Sequence, residues 1–136
     1  MSRPLVYIVM MVAWCVAMVS TAFCRDSGQW ENADPAIVEW YRTLMQPDNP
    51  RTSCCGEADA YWCDGIHVRD GKTFCTITDD RPNEPLHRTP VPLGTEIEIL
   101  PYKLKWNAGN PTGHAIVFLS SAAEPYVYCF VQNGGV

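Results

Sequence analysis

The feature that most constrains the fold of this chain is a pair of adjacent cysteines, Cys54 and Cys55, in the stretch RTSCCGEADAYW. Neighbouring Cα atoms across a trans peptide are about 3.8 Å apart, whereas disulfide-bonded residues usually need roughly 4.4–6.8 Å. A bond between the two would be strained, so each is predicted to bond a distant partner. The natural partners are Cys75 and Cys129, which lie in strand-like segments. Such bonds would tie the post-helix loop to two strands and contribute roughly 2–4 kcal/mol each.

The N-terminal segment has the features of a secretory signal peptide, which we predict to comprise residues 1–22. Arg3 supplies a short positive region, and residues 5–19 form an unbroken apolar run that ends in small side chains suited to cleavage. Cleavage would remove Cys15 and leave six of the seven cysteines, and an even count is what a disulfide framework requires. The alternative is an inner-membrane anchor, because residues 5–24 carry no charge and are about long enough to span a bilayer.

The rest of the chain is predicted to form a flexible arm over residues 23–33 and a single small domain over residues 34–136. A length of 136 residues, with 47% hydrophobic and 18% charged residues, is typical of a globular chain. The net charge of -5 argues against nucleic acid as a partner, since phosphate contacts need clustered Lys and Arg. Membrane contact is predicted only through an uncleaved signal segment.

One amphipathic helix is predicted at the start of this domain, in the stretch DPAIVEWYRTLMQP. Asp34 is a good N-cap, and Pro35 fits the first helical turn. Apolar side chains then recur at helical spacing through Leu44 and Met45, until Pro47 ends the helix. The paired cysteines follow directly, so a disulfide from either one would hold this helix against the strands.

The Asp70-Gly71 step between β-branched runs is a strong signal for a β-hairpin with a two-residue turn. Such a turn pairs Val68 with Thr73. Alternation then places one set of side chains in the core and the other set on the opposite face. The predicted core set is Trp62, Ile66, Val68, Cys75 and Ile77, and the opposite set is Cys63, Gly65, His67 and Phe74.

Cys63 is the cysteine whose partner the sequence leaves open. In this hairpin register it faces away from Cys75, so the two cannot bond across the strands. Cys63 therefore either bonds Cys24 in the arm or stays free. A three-residue turn would change the register and reverse this conclusion.

Four further runs predict strands after the hairpin. They are GTEIEILP, with Ile97 and Ile99 inward; YKLKW, with Tyr102, Leu104 and Trp106 on one face; HAIVFLSS; and PYVYCFV. The Pro-rich stretch RPNEPLHRTPVP is predicted to be a long exposed connection, with His87 at the surface. One helix followed by about five or six short strands predicts a mainly β (α+β) fold, a small antiparallel barrel or sandwich stapled by disulfides.

A metal site is one alternative to a purely structural role for the cysteines. Cys63 and His67 have a spacing found between zinc ligands, but on a strand they would lie about 13 Å apart, at about 3.3 Å per residue. The acidic residues Asp79, Asp80 and Glu84 lack a calcium-loop pattern and are better explained as solvated turn residues. We therefore predict no cofactor and keep Cys63 and His67 as the ligands of an alternative metal- or thiol-handling periplasmic protein.

A cysteine hydrolase is a further alternative. The stretch SCCGEADAYW, followed by TGHAIVFLS, resembles the nucleophile and base segments of NlpC/P60 and CHAP cysteine peptidases. That resemblance implies cell-wall peptide as substrate, Cys54 or Cys55 as nucleophile and His114 as base. The segment after the cysteines is acidic, however, and neighbouring acids raise the pKa of a thiol. No orienting residue after His114 is evident in the sequence.

The whole pattern also resembles a group of small exported bacterial proteins of uncharacterised function. The shared features are the helix DPAIVEWYRTLMQPDNP, the double cysteine of SCCGEADAYW, the stretch LKWNAGNPTGHAIVFLS and the C-terminal YCF strand. The resemblance covers residues 34–136 and implies export from a bacterial cell, with no activity to carry over. We expect a non-catalytic binding or envelope accessory domain, periplasmic or secreted. Core packing explains most of its aromatic side chains, and a cluster of them on one open face would bind a protein, peptide or glycan ligand.

Overall fold

The computed structural model describes residues 34–107 and 109–133. The predicted signal peptide, its alternative as an anchor, the predicted arm and Cys24 all lie outside these residues. Within the described residues, no helix is both long enough and apolar enough to cross a membrane. The described chain is mainly β, with one α-helix, two sheets and disulfide bonds, which confirms the predicted fold class.

Helix α1 spans Pro35–Thr43 and begins as the sequence predicts. The Asp34 side chain accepts a hydrogen bond of 2.8 Å from the backbone N–H two residues on, as an N-cap does. The helix ends before the predicted stop, because Leu44 is extended and its carbonyl accepts the Cys54 N–H at 2.8 Å. Pro47 also disfavours helical backbone at the residue before it, so the last predicted turn cannot form.

The larger sheet has four strands in the order β1-β6-β7-β5. They are β1 (Ala60–Trp62), β5 (Leu104–Lys105), β6 (Ile116–Leu119) and β7 (Val127–Val131). β6 and β7 are the strands predicted from HAIVFLSS and PYVYCFV. The neighbours within β1-β6-β7 are antiparallel as predicted, whereas β5 pairs with β7 in parallel at the edge of the sheet.

This larger sheet is the middle layer of the domain. On one face Ile116 and Phe118 pack with the helix, where the rings of Tyr41 and Phe118 meet edge-on at 5.8 Å. On the other face Val117 packs with the smaller sheet through residues such as Ile99. All four residues of β6 are buried, which explains why this strand is apolar at every position instead of alternating.

The smaller sheet has three antiparallel strands in the order β2-β3-β4. They are β2 (His67–Arg69), β3 (Lys72–Thr76) and β4 (Glu96–Ile99). The predicted two-residue turn is present, since Val68 pairs with Thr73. Asp70 and Gly71 both have positive φ, at 52° and 74°, as the tight turns that favour Asp-Gly require. β4 has the predicted alternation, with Ile99 buried.

The predicted hairpin register fails on the N-terminal side of β2. The Thr76 N–H still bonds the Gly65 carbonyl at 3.1 Å, but the Ile66 N–H bonds the Asp64 carbonyl at 2.8 Å, so the chain turns at residues 64–66 instead of continuing as a regular strand. The turn brings Cys63 next to β3, where it forms a disulfide with Cys75. The prediction that Cys63 cannot reach Cys75, and so bonds Cys24 or stays free, is wrong for this reason.

Two residues predicted in the core lie at the surface instead. Ile66 and Val68 are 44% and 70% exposed, whereas Cys75 and Ile77, further from the hairpin turn, are buried as predicted. The hairpin therefore leaves the core toward its turn. Alternation along a strand identifies its faces, but it cannot show where the opposing layer ends.

The predicted strand YKLKW is mostly a turn. Pro101–Lys103 form a 3-10 turn, and only Leu104–Lys105 are extended as β5. Lys103 is 1% exposed, whereas Tyr102 and Trp106 are 55% and 68% exposed. The predicted face of Tyr102, Leu104 and Trp106 is therefore wrong, because the turn rotates the chain before β5 begins.

Candidate functional site

The paired cysteines are buried behind α1. Cys54 bonds Cys129, with Cα atoms 5.6 Å apart, and this bond ties the segment after α1 to the middle of β7. The sequence analysis predicts a bond of this kind, from one of the paired cysteines to Cys129. Cys55 is also disulfide-bonded. Cys75 bonds Cys63 instead of a member of the pair, which corrects that part of the predicted connectivity.

Neither sulfur of the pair is a free thiol in this structure. A sulfur held in a disulfide cannot act as the thiolate nucleophile that the hydrolase hypothesis assigns to Cys54 or Cys55. That hypothesis therefore requires one of these bonds to be reduced before catalysis.

The two alternative metal ligands are also engaged elsewhere. The sulfur of Cys63 is bonded to Cys75, and Nε2 of His67 lies 3.0 Å from Oε1 of Glu96. A zinc site needs deprotonated thiolates and imidazole nitrogens directed at one point. Across residues 34–107 and 109–133, no three or more His, Cys, Asp or Glu side chains gather in a way that could hold a metal ion.

His114 is held by a carboxylate that the sequence analysis missed. Its Nδ1 lies 2.8 Å from Oδ2 of Asp64, which is 50 residues away in the chain. The same carboxylate accepts the Ala115 N–H at 2.8 Å and the Thr78 hydroxyl at 2.9 Å. Burial raises the pKa of Asp64, but the hydrogen bonds from His114, Ala115 and Thr78 outweigh it and hold the pKa below its ordinary value. Asp64 is therefore ionised at neutral pH.

Stacking fixes the same imidazole from a second direction. The rings of His114 and Trp62 are 3.9 Å apart between centroids, at an interplanar angle of 11°. With Nδ1 directed at Asp64, no described residue hydrogen-bonds Nε2. An imidazole oriented in this way by a carboxylate is suited to proton transfer. The pair supplies the orienting residue that the sequence did not show for His114.

Asp79 is the centre of a buried ion network, which corrects its assignment as a solvated turn residue. Its Oδ2 lies 2.6 Å from Nη1 of Arg88 and 2.7 Å from Nη2 of Arg81. The side chains of Asp79 and Arg88 are each 1% exposed. Burial raises the pKa of Asp79, but hydrogen bonds from the two guanidinium groups outweigh it and hold the pKa far below its ordinary value. The Pro-rich connection is therefore partly buried, although His87 is exposed as predicted.

This ion network covers the free edge of β1. The Trp62 N–H donates to Asp79 at 3.2 Å, and the Ala60 carbonyl accepts from Arg88 at 3.1 Å and Arg81 at 3.3 Å. The guanidinium of Arg81 also lies over the Trp62 ring, 4.5 Å from its centroid. An uncovered edge presents unpaired backbone groups to other chains. We interpret the network as a structural cover for this edge.

An open cleft of about 270 Å³ lies beside the 3-10 turn of residues 101–103. The 3-10 turn packs against β7, which brings residues on either side of both elements together. Leu100 and Tyr126 are 39% and 52% exposed, so the walls of the cleft are apolar and aromatic. Sites for drug-sized ligands typically measure ~300–1,000 Å³, so this cleft suits one side chain or one sugar ring. Its lining consists of Glu98, Leu100, Lys103, Pro125, Tyr126 and Val127.

The ammonium group of Lys103 is enclosed at this cleft. The side chain is 1% exposed, and its Nζ lies 2.7 Å from Oδ2 of Asp48. The same Nζ lies 4.6 Å from the ring centroid of Tyr126 and 5.6 Å from that of Tyr102. Burial lowers the pKa of Lys103, but hydrogen bonds with Asp48 and Tyr126 outweigh it and raise the pKa above its ordinary value. Two tyrosine rings and a carboxylate thus form a cation site, which the chain's own lysine occupies.

Sequence reasoning missed these groupings because their members are far apart along the chain. Lys103 and Asp48 are separated by 55 positions. The one local signal was Pro101, which has no N–H for a strand ladder and fits the first position of a turn. A turn at that point interrupts the alternation predicted for YKLKW just before β5.

Comparison with protein-family models, curated proteins and solved structures gives no match to this chain. The resemblance to small exported bacterial proteins therefore stays a prediction, and the function is argued from the residues.

Proposed function

We propose that this chain is an exported, non-catalytic binding domain, periplasmic or secreted, which holds part of a peptide or glycan ligand in the cleft beside residues 101–103. The disulfide bonds indicate an oxidising environment outside the cytoplasm. The bond from Cys54 to Cys129 fixes the helix to β7, and β7 is the strand from which one wall of the cleft extends. A rigid wall loses little conformational freedom when a ligand binds.

The exposed wall of the cleft is the observation that carries this proposal. Tyr126 is 52% exposed and Leu100 is 39% exposed, and they lie beside Pro125 and Val127. By contrast, Tyr41 is 2% exposed and packs in the core. A tyrosine ring in a concave apolar site offers a large contact area together with a hydroxyl that orients the ligand.

The test uses the full chain, exported so that its disulfides form. Backbone amide NMR spectra are recorded while two probes are added separately, acetyl-trialanine amide and the disaccharide of N-acetylglucosamine. We expect at least one probe to shift the resonances of Leu100, Tyr126 and Val127. Replacing the Tyr126 ring by Tyr126→Ala should weaken that binding by roughly fivefold or more, because the aromatic contact is lost.

Trp106→Ala is the matched control, since Trp106 is 68% exposed but does not line the cleft. It should leave the affinity unchanged. An equal loss of affinity in both variants would contradict the proposal. So would the absence of any shift at the cleft both with these two probes and with blocked amino acids that carry a charged or an apolar side chain.

A cysteine hydrolase that acts on cell-wall peptide is a second candidate, favoured by the Asp64–His114 pair at 2.8 Å. It is tested by incubating the chain with cell-wall peptide fragments, with and without a dithiol reductant. Cleavage that needs the reductant and is lost in His114→Ala would support it. Intact fragments under both conditions would exclude it.

A further inference from the structure

We propose that the cleft recognises a primary ammonium group on an aliphatic stem, such as the side chain of lysine in a peptide. This inference rests on the proposed binding function and names the chemical class of the ligand. It depends on the balance of charge around the cleft, on the carboxylate at its wall and on the aromatic surface of Tyr126.

Glu98 supplies the negative group at the cleft wall. Its side chain is 37% exposed, and Oε2 accepts a hydrogen bond from Lys72 Nζ at 3.1 Å. No described residue hydrogen-bonds its Oε1. The ion pair with Lys72 is itself exposed, and exposed pairs of this kind bind weakly, so water and ions compete for Glu98. A ligand ammonium would replace part of that solvation.

The positive charge at the cleft is already neutralised. Lys103 is enclosed by Asp48 at 2.7 Å and by the rings of Tyr102 and Tyr126, so its charge is paired. The carboxylate of Glu98 is therefore the exposed charge on the lining of the cleft. The chain as a whole carries a net charge of -5, which favours the approach of cations over anions.

Tyr126 and its apolar neighbours fit the remainder of such a ligand. The Tyr126 ring lies 4.6 Å from the ammonium of Lys103, a distance at which a ring attracts a cation. Because Tyr126 is 52% exposed, part of its surface is open to a second cation from the solvent side. Leu100, Pro125 and Val127 offer the apolar contact that a lysine stem needs.

Three small probes with blocked termini separate charge from shape. They are N-acetyl-lysine amide, N-acetyl-norleucine amide, which has the apolar stem without the charge, and N-acetyl-glutamate amide. Each is titrated into the full disulfide-bonded chain while the resonances of Leu100, Tyr126 and Val127 are followed. We expect the lysine probe to bind at least about fivefold more tightly than the norleucine probe. The glutamate probe should leave these resonances unshifted.

Two substitutions should change the affinity for the lysine probe in opposite directions. Glu98→Gln should weaken it by roughly fivefold or more, because the ligand loses its counter-charge. Lys72→Met should strengthen it, because the internal competitor for Glu98 is removed. A merely structural role of the Lys72–Glu98 ion pair would give changes in the same direction for both variants. Glu96→Gln is the matched control, since Glu96 lies on the same strand and pairs with Arg69 at 3.0 Å instead.

The outcomes distinguish this inference from the proposed function. If the norleucine or glutamate probe binds the cleft more tightly than the lysine probe, the inference is wrong. It is also wrong if the uncharged peptide or the disaccharide shifts the cleft resonances and the lysine probe does not. Either result would leave the proposed binding domain intact. If none of the five probes shifts the cleft resonances, both the inference and the proposed function are wrong. Equal effects of Glu98→Gln and Glu96→Gln would also overturn the inference.

Discussion

At the scale of single residues, the charge of Asp79 holds a buried ion network together. It pairs with Arg81 and Arg88 and also accepts the N–H of Trp62 at 3.2 Å. Removing its charge would leave the buried guanidinium of Arg88 without a counter-ion. The loss of one partner from a buried pair typically costs about 3–5 kcal/mol.

We therefore predict that Asp79→Asn lowers the free energy of unfolding at pH 7 by roughly 3 kcal/mol or more. The effect should depend on pH. Because the folded pKa of Asp79 is depressed, its contribution is complete above the unfolded pKa of about 3.9 and is lost as the pH falls below it toward the folded value. Urea unfolding of both proteins between pH 7 and pH 3 should show their difference shrinking in acid. Asp80→Asn, at an exposed neighbour, should change stability little.

Gly65 is required for a steric reason. A Cβ at this position would lie 2.9 Å from Cβ of Thr76, closer than such atoms approach in real structures. Gly65→Ala should therefore lower the free energy of unfolding by roughly 1–3 kcal/mol, as overpacking does. Gly109→Ala is the control, since its nearest neighbour would be Asn107 Oδ1 at 3.4 Å. Thermal unfolding of the two variants measures the contrast, and equal melting temperatures would contradict the steric argument.

At the scale of secondary-structure elements, the two described disulfides differ in the elements that they join and in the length of chain that they enclose. The bond from Cys54 to Cys129 joins the segment after α1 to β7 across a sequence separation of 75, whereas that from Cys63 to Cys75 spans 12. A disulfide lowers the entropy of the unfolded chain, and the chain-entropy model gives a stabilisation of about 4.5 kcal/mol for the longer loop and about 2.8 kcal/mol for the shorter one. The longer link should therefore stabilise the fold more.

This ranking is testable with paired serine substitutions. The variant Cys54→Ser/Cys129→Ser should unfold at a lower urea concentration than Cys63→Ser/Cys75→Ser, by roughly 1–2 kcal/mol in stability. Removing both members of a bond leaves no new thiol to exchange with the others. The reverse ranking would mean that native packing around the shorter link, and not loop entropy, decides its contribution.

At the scale of the whole molecule, the domain has three layers: α1, the larger sheet and the smaller sheet. The layers meet in two apolar clusters on opposite faces of the larger sheet. Disulfides lie in both clusters, since Cys54 and Cys129 belong to one and Cys63 and Cys75 to the other. Reduction should therefore weaken both layer contacts.

We predict that the exported chain, unfolded without reductant, shows no thiol at any of the five described cysteines. Alkylation followed by peptide mass spectrometry checks this, because a disulfide-bonded sulfur does not react. A second sample, treated with reductant before alkylation, should be labelled at all five cysteines. The reduced folded protein should also melt at a lower temperature than the disulfide-bonded protein. A cysteine labelled without reductant would contradict the structure at that position.

Several elements were determined by local sequence. The N-cap at Asp34, the turn at Asp70-Gly71, and the strands β4, β6 and β7 follow from residue types within a few positions, and the structure shows each of them. Capping, turn geometry and side-chain alternation depend on near neighbours, so a single sequence is sufficient to predict them.

Tertiary structure decided the partners. The turn after Asp64 brought Cys63 to Cys75, and the 3-10 turn at residues 101–103 enclosed Lys103 beside Asp48. These outcomes depend on where one layer ends and which distant groups fill the remaining space, and neither quantity is periodic along the chain. The sequence by itself therefore determined the types and order of most elements. The cleft, the ion network and the Asp64–His114 pair arise only where segments far apart in the chain meet, because each needs charge or apolar surface from several elements at once.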